Sequence, residues 1–123
     1  MKMEHVGIKV KDMDESLSFY QDILGLELRT REWLTDSVEL AFLYFREQPS
    51  VEVELVYGGG PVDNEGIVNH LAFTVENIEA ELIRLKEAGV QLVDEEPRSI
   101  LNGTVKIAFF QGPNGEKLEL VER

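Results

Sequence analysis

The chain has no cysteine, which excludes disulfides, thiolate nucleophiles and thiolate metal sites together, so any metal must be held by nitrogen and oxygen. It also lacks a basic surplus. A formal charge of −12 argues against nucleic acid, which needs a cationic face, and against docking on an anionic membrane. No apolar run approaches the length of a membrane span, and the N-terminus carries neither the basic nor the apolar segment of a signal peptide. A cytoplasmic protein is the expectation. Only two histidines occur in the 123 residues, and their placement is the most informative feature present.

His5 and His70 open strand-like runs, "HVGIKV" and "HLAFTV", 65 residues apart. Glu54 in "VELVY" and Glu119 in "LELVE" repeat the same interval. So do the apolar positions: Val6, Ile8 and Val10 correspond to Leu71, Phe73 and Val75. Strand side chains alternate with period two, so each histidine lies on the face opposite this apolar set. A helix is predicted after each strand, with Asp12 or Asn77 as N-cap and Glu15 completing a capping box in the first. Met13, Leu17 and Tyr20 align with Ile78, Leu82 and Leu85 as an apolar stripe, and Gly25 and Gly89 end the helices. Three strands then follow in each half, near 26–32, 37–46 and 51–57, and near 90–94, 104–111 and 116–122. Turns at "QPS" and "GPNG" divide the last two strands of each half.

The expected organisation is one domain over 1–123, with a module over about 1–57, a linker over 58–66 and a second module over about 67–123. The fold class is α+β: two βαβββ modules whose mixed four-stranded sheets each have one face covered by a helix. The histidine faces are the uncovered ones, available to close around a shared site.

Within "VEVELVY", Glu52 and Glu54 share the face opposite Val53, Leu55 and Tyr57; Glu119 likewise opposes Leu118 and Leu120. Glu52 reads as solvated, and Glu54 and Glu119 as ligands beside the histidines. Two imidazoles and two carboxylates suit a borderline divalent cation, with zinc, nickel, cobalt, manganese and ferrous iron all compatible. A structural zinc is disfavoured, because such sites are closed and cysteine-rich. Open coordination positions suggest a Lewis acid gripping substrate oxygens. Trp33, Tyr44, Phe45, Phe109 and Phe110 read first as strand core and otherwise as a pocket lining, Arg98 and Lys106 first as solvated cations and otherwise as contacts for an anionic substrate, and the acidic runs at 14–15 and 94–96 as solvated turns or a helix start.

The stretches "HVGIKVKDMDESLSFYQDILGLEL", "VELVY", "NHLAFTVENIEAELIRLKEAGV" and "FFQGPNGEKLELVE" resemble the vicinal oxygen chelate superfamily, which includes glyoxalase I, bleomycin-resistance proteins and extradiol dioxygenases. The resemblance spans essentially the whole chain and is nearest to bacterial glyoxalase I. It implies half-barrels that pair around a metal held by His5, Glu54, His70 and Glu119, with nickel or zinc favoured. It further implies a homodimer whose sites are shared between chains. The implied activity is isomerisation of the hemithioacetal of a 2-oxoaldehyde such as methylglyoxal with a thiol, through an enediolate. Glu119 would be the base, with Glu54 as the alternative. Lys9 stands where the family typically has an arginine that meets a glutathione carboxylate, and Gly58 where asparagine is often seen, so the thiol is left open. An epimerase, a fosfomycin-type thiol transferase and a metal-free drug-binding protein are the alternatives within the resemblance.

Overall fold

Period-two alternation is plain in the first strand, β1 (His5–Val10), where Val6, Ile8 and Val10 are covered and His5, Gly7 and Lys9 are exposed. The structure is a computed structural model and describes residues 2–62, 66 and 68–123. Of the linker expected at 58–66, residues 63–65 lie outside the described residues. After β1 come α1 (Met13–Ser18), β2 (Glu27–Trp33), β3 (Glu39–Phe45) and β4 (Gln48–Tyr57). They are followed by β5 (Leu71–Thr74), α2 (Ile78–Glu87), β6 (Gln91–Leu92), β7 (Arg98–Ile100), β8 (Val105–Gln111) and β9 (Lys117–Glu122). Two units result, Met1–Asp63 and Asn64–Arg123.

Both helices start where a side chain replaces a missing backbone acceptor. Asp12 Oδ1 accepts the Glu15 N–H at 3.0 Å, and Asn77 Oδ1 accepts the Ala80 N–H at 3.0 Å. Beyond Ser18 the first helix widens into a π turn over Phe19–Ile23. The wider turn lets two adjacent aromatic residues point inward: Phe19 and Tyr20 are both buried, edge to face at 5.2 Å. Met13 and Leu17 pack with them, and on the sheet Val10, Ala41, Leu43 and Leu55 complete the first core. In the second unit Ile78, Leu82 and Leu85 are buried, as are Ala108, Phe110, Leu118 and Leu120 on the sheet. These residues lie between one helix and one sheet face in each unit, while Val105, Ile107 and Val121, with Phe109 against them, form a further buried cluster on the other face of the second sheet. None of the described helices is long and apolar enough to cross a membrane.

The first sheet runs β1-β4-β3-β2, with β1 parallel to β4 and the other pairs antiparallel. The second runs β5-β9-β8-β6, with β7 also pairing β8. Three expectations need correcting. The half-barrels are absent: neither sheet closes or curls strongly, and β1 and β2 remain the edges of the first. Nor do the sheets gather a metal centre, since among the described residues no three His, Cys, Asp or Glu side chains converge. The second sheet has five strands rather than four: the strand expected near 90–94 breaks off after Leu92, and β7 forms at Arg98–Ile100, where none was expected.

The break has a local cause. The N–H groups of Val93 and Asp94 both reach the Phe109 carbonyl, at 2.9 and 3.0 Å, which kinks the chain. Asp94 Oδ2 accepts the Phe109 N–H at 2.9 Å, and Pro97 has no N–H for the ladder. Pairing resumes only at Arg98. In the first unit the hairpin turn is at 46–47 and "QPS" lies inside β4. Pro49 fits there because it has no partner on either side: β1 starts pairing with β4 at Glu52, and the register with β3 skips from Glu52 to Gln48.

Candidate functional site

The face of each sheet opposite its helix carries one histidine and one glutamate in matching geometry. In the first unit β1 and β4 run in parallel with His5 opposite Glu52 and Gly7 opposite Glu54. His5 Nε2 lies 3.8 Å from Glu54 Oε1. Gly7 leaves room for this carboxylate: a Cβ there would stand 3.2 Å from Glu54 Oε1. In the second unit Ala72 is opposite Glu119, and His70 Nε2 lies 3.5 Å from Glu119 Oε2. Both carboxylates are largely covered, with 18% and 13% of their side-chain surface exposed, while both rings are about one-third accessible.

The other ring nitrogen is engaged in each case. His5 Nδ1 is 2.8 Å from Glu4 Oε1, and His70 Nδ1 is 2.7 Å from Asn69 Oδ1. An ionised carboxylate and an amide oxygen can only accept, so Nδ1 is the donor in each pair and Nε2 is the nitrogen turned toward the glutamate. This is how metal-binding histidines are commonly prepared: one nitrogen is fixed by a neighbour and the other is left as the ligand. Neighbouring ligands of an octahedral divalent ion lie roughly 3 Å apart for metal–ligand bonds of about 2.1 Å. The two His–Glu separations approach that value, and the donors are neutral nitrogen and anionic oxygen, so each pair fits half of a metal's protein ligands.

Cross-strand neighbours complete the duplication. Phe42 is opposite Glu54 and meets the His5 ring edge to face at 6.0 Å; Phe109 is opposite Glu119 and meets His70 likewise at 5.4 Å. Arg29 stacks over Phe42 at 5.1 Å and Arg98 over Phe109 at 5.8 Å. Sequence reading found the four ligand candidates but not Glu4, Asn69 or Phe42. Glu4 and Asn69 themselves lie 65 residues apart, a signal available in the repeat; Phe42 is identified only by register.

Several readings of single residues change. Glu52 is not solvated. A bulge between Leu28 and Thr30 turns Arg29 onto this face, where its guanidinium donates two bonds to Glu52 at 2.6 and 2.9 Å. Trp33, read as core, is exposed; Phe110 is buried, and Phe109 packs against Val105, Ile107 and Val121 as well as lying beside His70. Asp94 anchors the β8 backbone and pairs with Arg98 at 3.3 Å. Lys106 pairs with Glu79 of α2 at 3.1 Å, which commits it to the helix side. Lys9 is exposed on the histidine face. Gly58 has a conformational reason to be glycine: its φ is +90°, and a Cβ would stand 2.0 Å from the Ser37 carbonyl oxygen.

The sequence profile of the Glyoxalase/Bleomycin resistance protein/Dioxygenase superfamily matches residues 2–120. The uncharacterized protein YwbC of Bacillus subtilis is 36% identical over 99% of this chain and 98% of its own length. A lactoylglutathione lyase of Haemophilus influenzae is 33% identical over 99% of this chain and 93% of its own. Among solved structures, glyoxalase I from Zea mays superposes with a TM-score of 0.85 at 28% identity. That match covers 99% of this chain and 44% of the maize protein.

Proposed function

The chain belongs to the Glyoxalase/Bleomycin resistance protein/Dioxygenase superfamily, and from that membership we propose that it is a metal-dependent lyase of the glyoxalase I type. Its substrate is the hemithioacetal of methylglyoxal and a thiol, isomerised through an enediolate. Likeness to lactoylglutathione lyases over nearly their whole length supports this reading. The observation that carries it is the duplicated pair: a histidine with Nδ1 committed to a neighbour and Nε2 turned toward a covered glutamate, at His5–Glu54 and at His70–Glu119.

Each pair offers two donors, so the full set of His5, Glu54, His70 and Glu119 requires two pairs to meet. In our reading a homodimer brings them together, His5 and Glu54 of one chain with His70 and Glu119 of the other. A divalent ion so held, nickel or zinc in the first instance, would supply a Lewis acid for the substrate's adjacent oxygens. Glu119 takes the proton from carbon and returns it to the neighbouring carbon; Glu54, its counterpart in the repeat, is the alternative base. Phe42 and Phe109, each set perpendicular to its imidazole, hold the two rings in place, and Lys9 offers a charge to an anionic part of the substrate.

The test is reconstitution with nickel or zinc, followed by assay of methylglyoxal with a panel of thiols. Absence of bound divalent metal, with no gain in thermal stability on adding it, would sink the proposal. Glu119→Gln is expected to lower kcat by a factor of about 10² to 10⁴, the usual contribution of a general base, with metal still bound. Full activity in that variant would remove the base assignment and leave Glu54→Gln as the next candidate.

A further inference from the structure

Two Asn-Gly steps occur in the chain, Asn102–Gly103 and Asn114–Gly115, and the fold treats them in opposite ways. Glycine after asparagine leaves the following amide nitrogen unshielded by a Cβ, so it can reach the asparagine side chain. Asn114 is buried in the turn between β8 and β9. Its N–H donates to Glu116 Oε1 at 2.7 Å, and its side-chain amide donates to Glu116 Oε2 at 3.1 Å. The Gly112 N–H donates to the Glu116 carbonyl at 3.0 Å and closes the same turn. Asn102 is exposed at the tip between β7 and β8, and among the described residues its side-chain amide has no hydrogen-bond partner. The tip is also strained. Leu101 and Asn102 both have positive φ, 51° and 59°, as a type I′ turn requires, and that region suits asparagine or glycine better than leucine. Leu101 is 65% exposed, so packing does little to offset the strain. The Gly103 N–H donates to the Ile100 carbonyl at 3.1 Å, and the Thr104 hydroxyl donates to the Leu101 carbonyl at 2.7 Å. β7 has three exposed residues and pairs with β8 alone. Strained, exposed and joined on one side, this tip opens at lower cost than the turn around Asn114.

We propose that Asn102 is a site of spontaneous deamidation, while the second Asn-Gly step at Asn114 is protected by its turn. When the tip opens, the Ile100 carbonyl releases the Gly103 N–H. The Gly103 nitrogen loses its proton to solvent and attacks Asn102 Cγ. The N–Cγ bond forms, the Cγ–Nδ2 bond breaks, and the departing amide takes up a proton and leaves as ammonia. Water then opens the resulting succinimide. Cleavage of the bond to Cγ gives aspartate; cleavage of the bond to the main-chain carbonyl carbon gives isoaspartate, whose main chain is one carbon longer. Either product puts a carboxylate on the tip, and isoaspartate also lengthens it. The strand closed by this tip reaches the histidine face of the second sheet. Ile100 is opposite Val105, and Arg98, opposite Ile107, stacks over Phe109, the ring that meets His70. Deamidation at Asn102 therefore loosens β7 and, with it, the stack of Arg98 on Phe109.

The full chain is incubated at mildly alkaline pH, in buffer and in urea, and the peptides holding the two steps are followed by mass spectrometry, with isoaspartate located by fragmentation. In buffer Asn102 is expected to convert about tenfold faster than Asn114 or more, because each hydrogen bond that must break to free the reacting groups lowers the open population about fivefold. In urea the two are expected to convert alike, since glycine follows both. Equal rates in buffer, or a preference for Asn102 that persists in urea, would overturn the role given to the fold. Thr104→Val removes the hydroxyl that closes the tip and is expected to speed conversion at Asn102 about two- to fivefold, with Asn114 unchanged. No change in that variant would refute tip opening as the controlling step. Protein aged to isoaspartate is expected to melt below Asn102→Asp, which carries the charge without the extra carbon; equal melting would remove the effect on β7.

Discussion

Replacing Gly58 by alanine tests the turn that ends β4, the strand carrying Glu54. Two costs add there. The backbone φ of +90° is unfavourable for any residue with a Cβ, at about 1–2 kcal/mol. The added Cβ also meets the Ser37 oxygen at 2.0 Å, where real Cβ contacts essentially never fall under 3.0 Å. The Ser37–Val38 segment must therefore retreat by about 1 Å, and it is held by several hydrogen bonds. Leu34 N–H donates to the Val38 carbonyl at 2.8 Å, and the N–H groups of Ser37 and Val38 donate to Thr35 Oγ1 at 3.2 and 3.1 Å. Losing one or two of these costs about 1 kcal/mol each. The total is about 2–4 kcal/mol, or a fall in Tm of roughly 8–16 °C for a chain of this size. Gly25 is the control, with a similar φ of +86° and no atom within 4 Å of a Cβ, so Gly25→Ala carries only the conformational cost, about 4–8 °C. Thermal unfolding by circular dichroism compares the two. If Gly58→Ala melts no lower than Gly25→Ala, the close approach to Ser37 is wrong and the reasoning fails. Gly58→Asn meets the same contact and is expected to melt below wild type as well.

Glu4→Ala removes the acceptor that fixes the His5 tautomer and is expected to weaken divalent-metal affinity by about 10- to 100-fold, read by chelator competition; unchanged affinity would show that Glu4 does not position the ring. Arg31→Met leaves the buried Glu39 carboxylate without the guanidinium that bonds it at 2.9 and 3.2 Å. A loss of about 2–3 kcal/mol in urea unfolding is expected, with part of it recovered in Arg31→Met/Glu39→Leu. Arg46, then Tyr44, hold the Glu27 carboxyl below its ordinary range by hydrogen bonding. Its pairing therefore stabilises the fold above the ordinary glutamate pKa, and that contribution is lost as pH falls through the lowered value. An NMR titration should show the Glu27 midpoint rising in Arg46→Ala, and no movement would refute the link.

Much of the site is legible in the sequence because its signals are local. Alternation within "HVGIKV" and "HLAFTV" places each histidine opposite the helix-packed side, and Asp12 and Asn77 announce the helices through their own side chains. The duplicated interval then carries Glu54 and Glu119 to equivalent places. Elements that depend on chain neighbours several strands away are harder to read. Glu52 looks solvated in sequence because its partner, Arg29, arrives by way of a bulge on another strand. The fifth strand of the second sheet escapes the pattern because Asp94 and Pro97 act through the β8 backbone at Phe109. The half-barrel, inferred from resemblance, required closure that open sheet edges do not provide.

The sequence by itself determined the duplication, the faces and the four ligand candidates, since periodicity two and helix capping are properties of a few consecutive residues. Only the tertiary structure decided what surrounds them. Register set Phe42 and Phe109 against the imidazoles, a bulge delivered Arg29 to Glu52, and the close approach of Ser37 made Gly58 obligatory. Such contacts are fixed by strand pairing across long stretches of chain, and strand pairing is not written in any one segment.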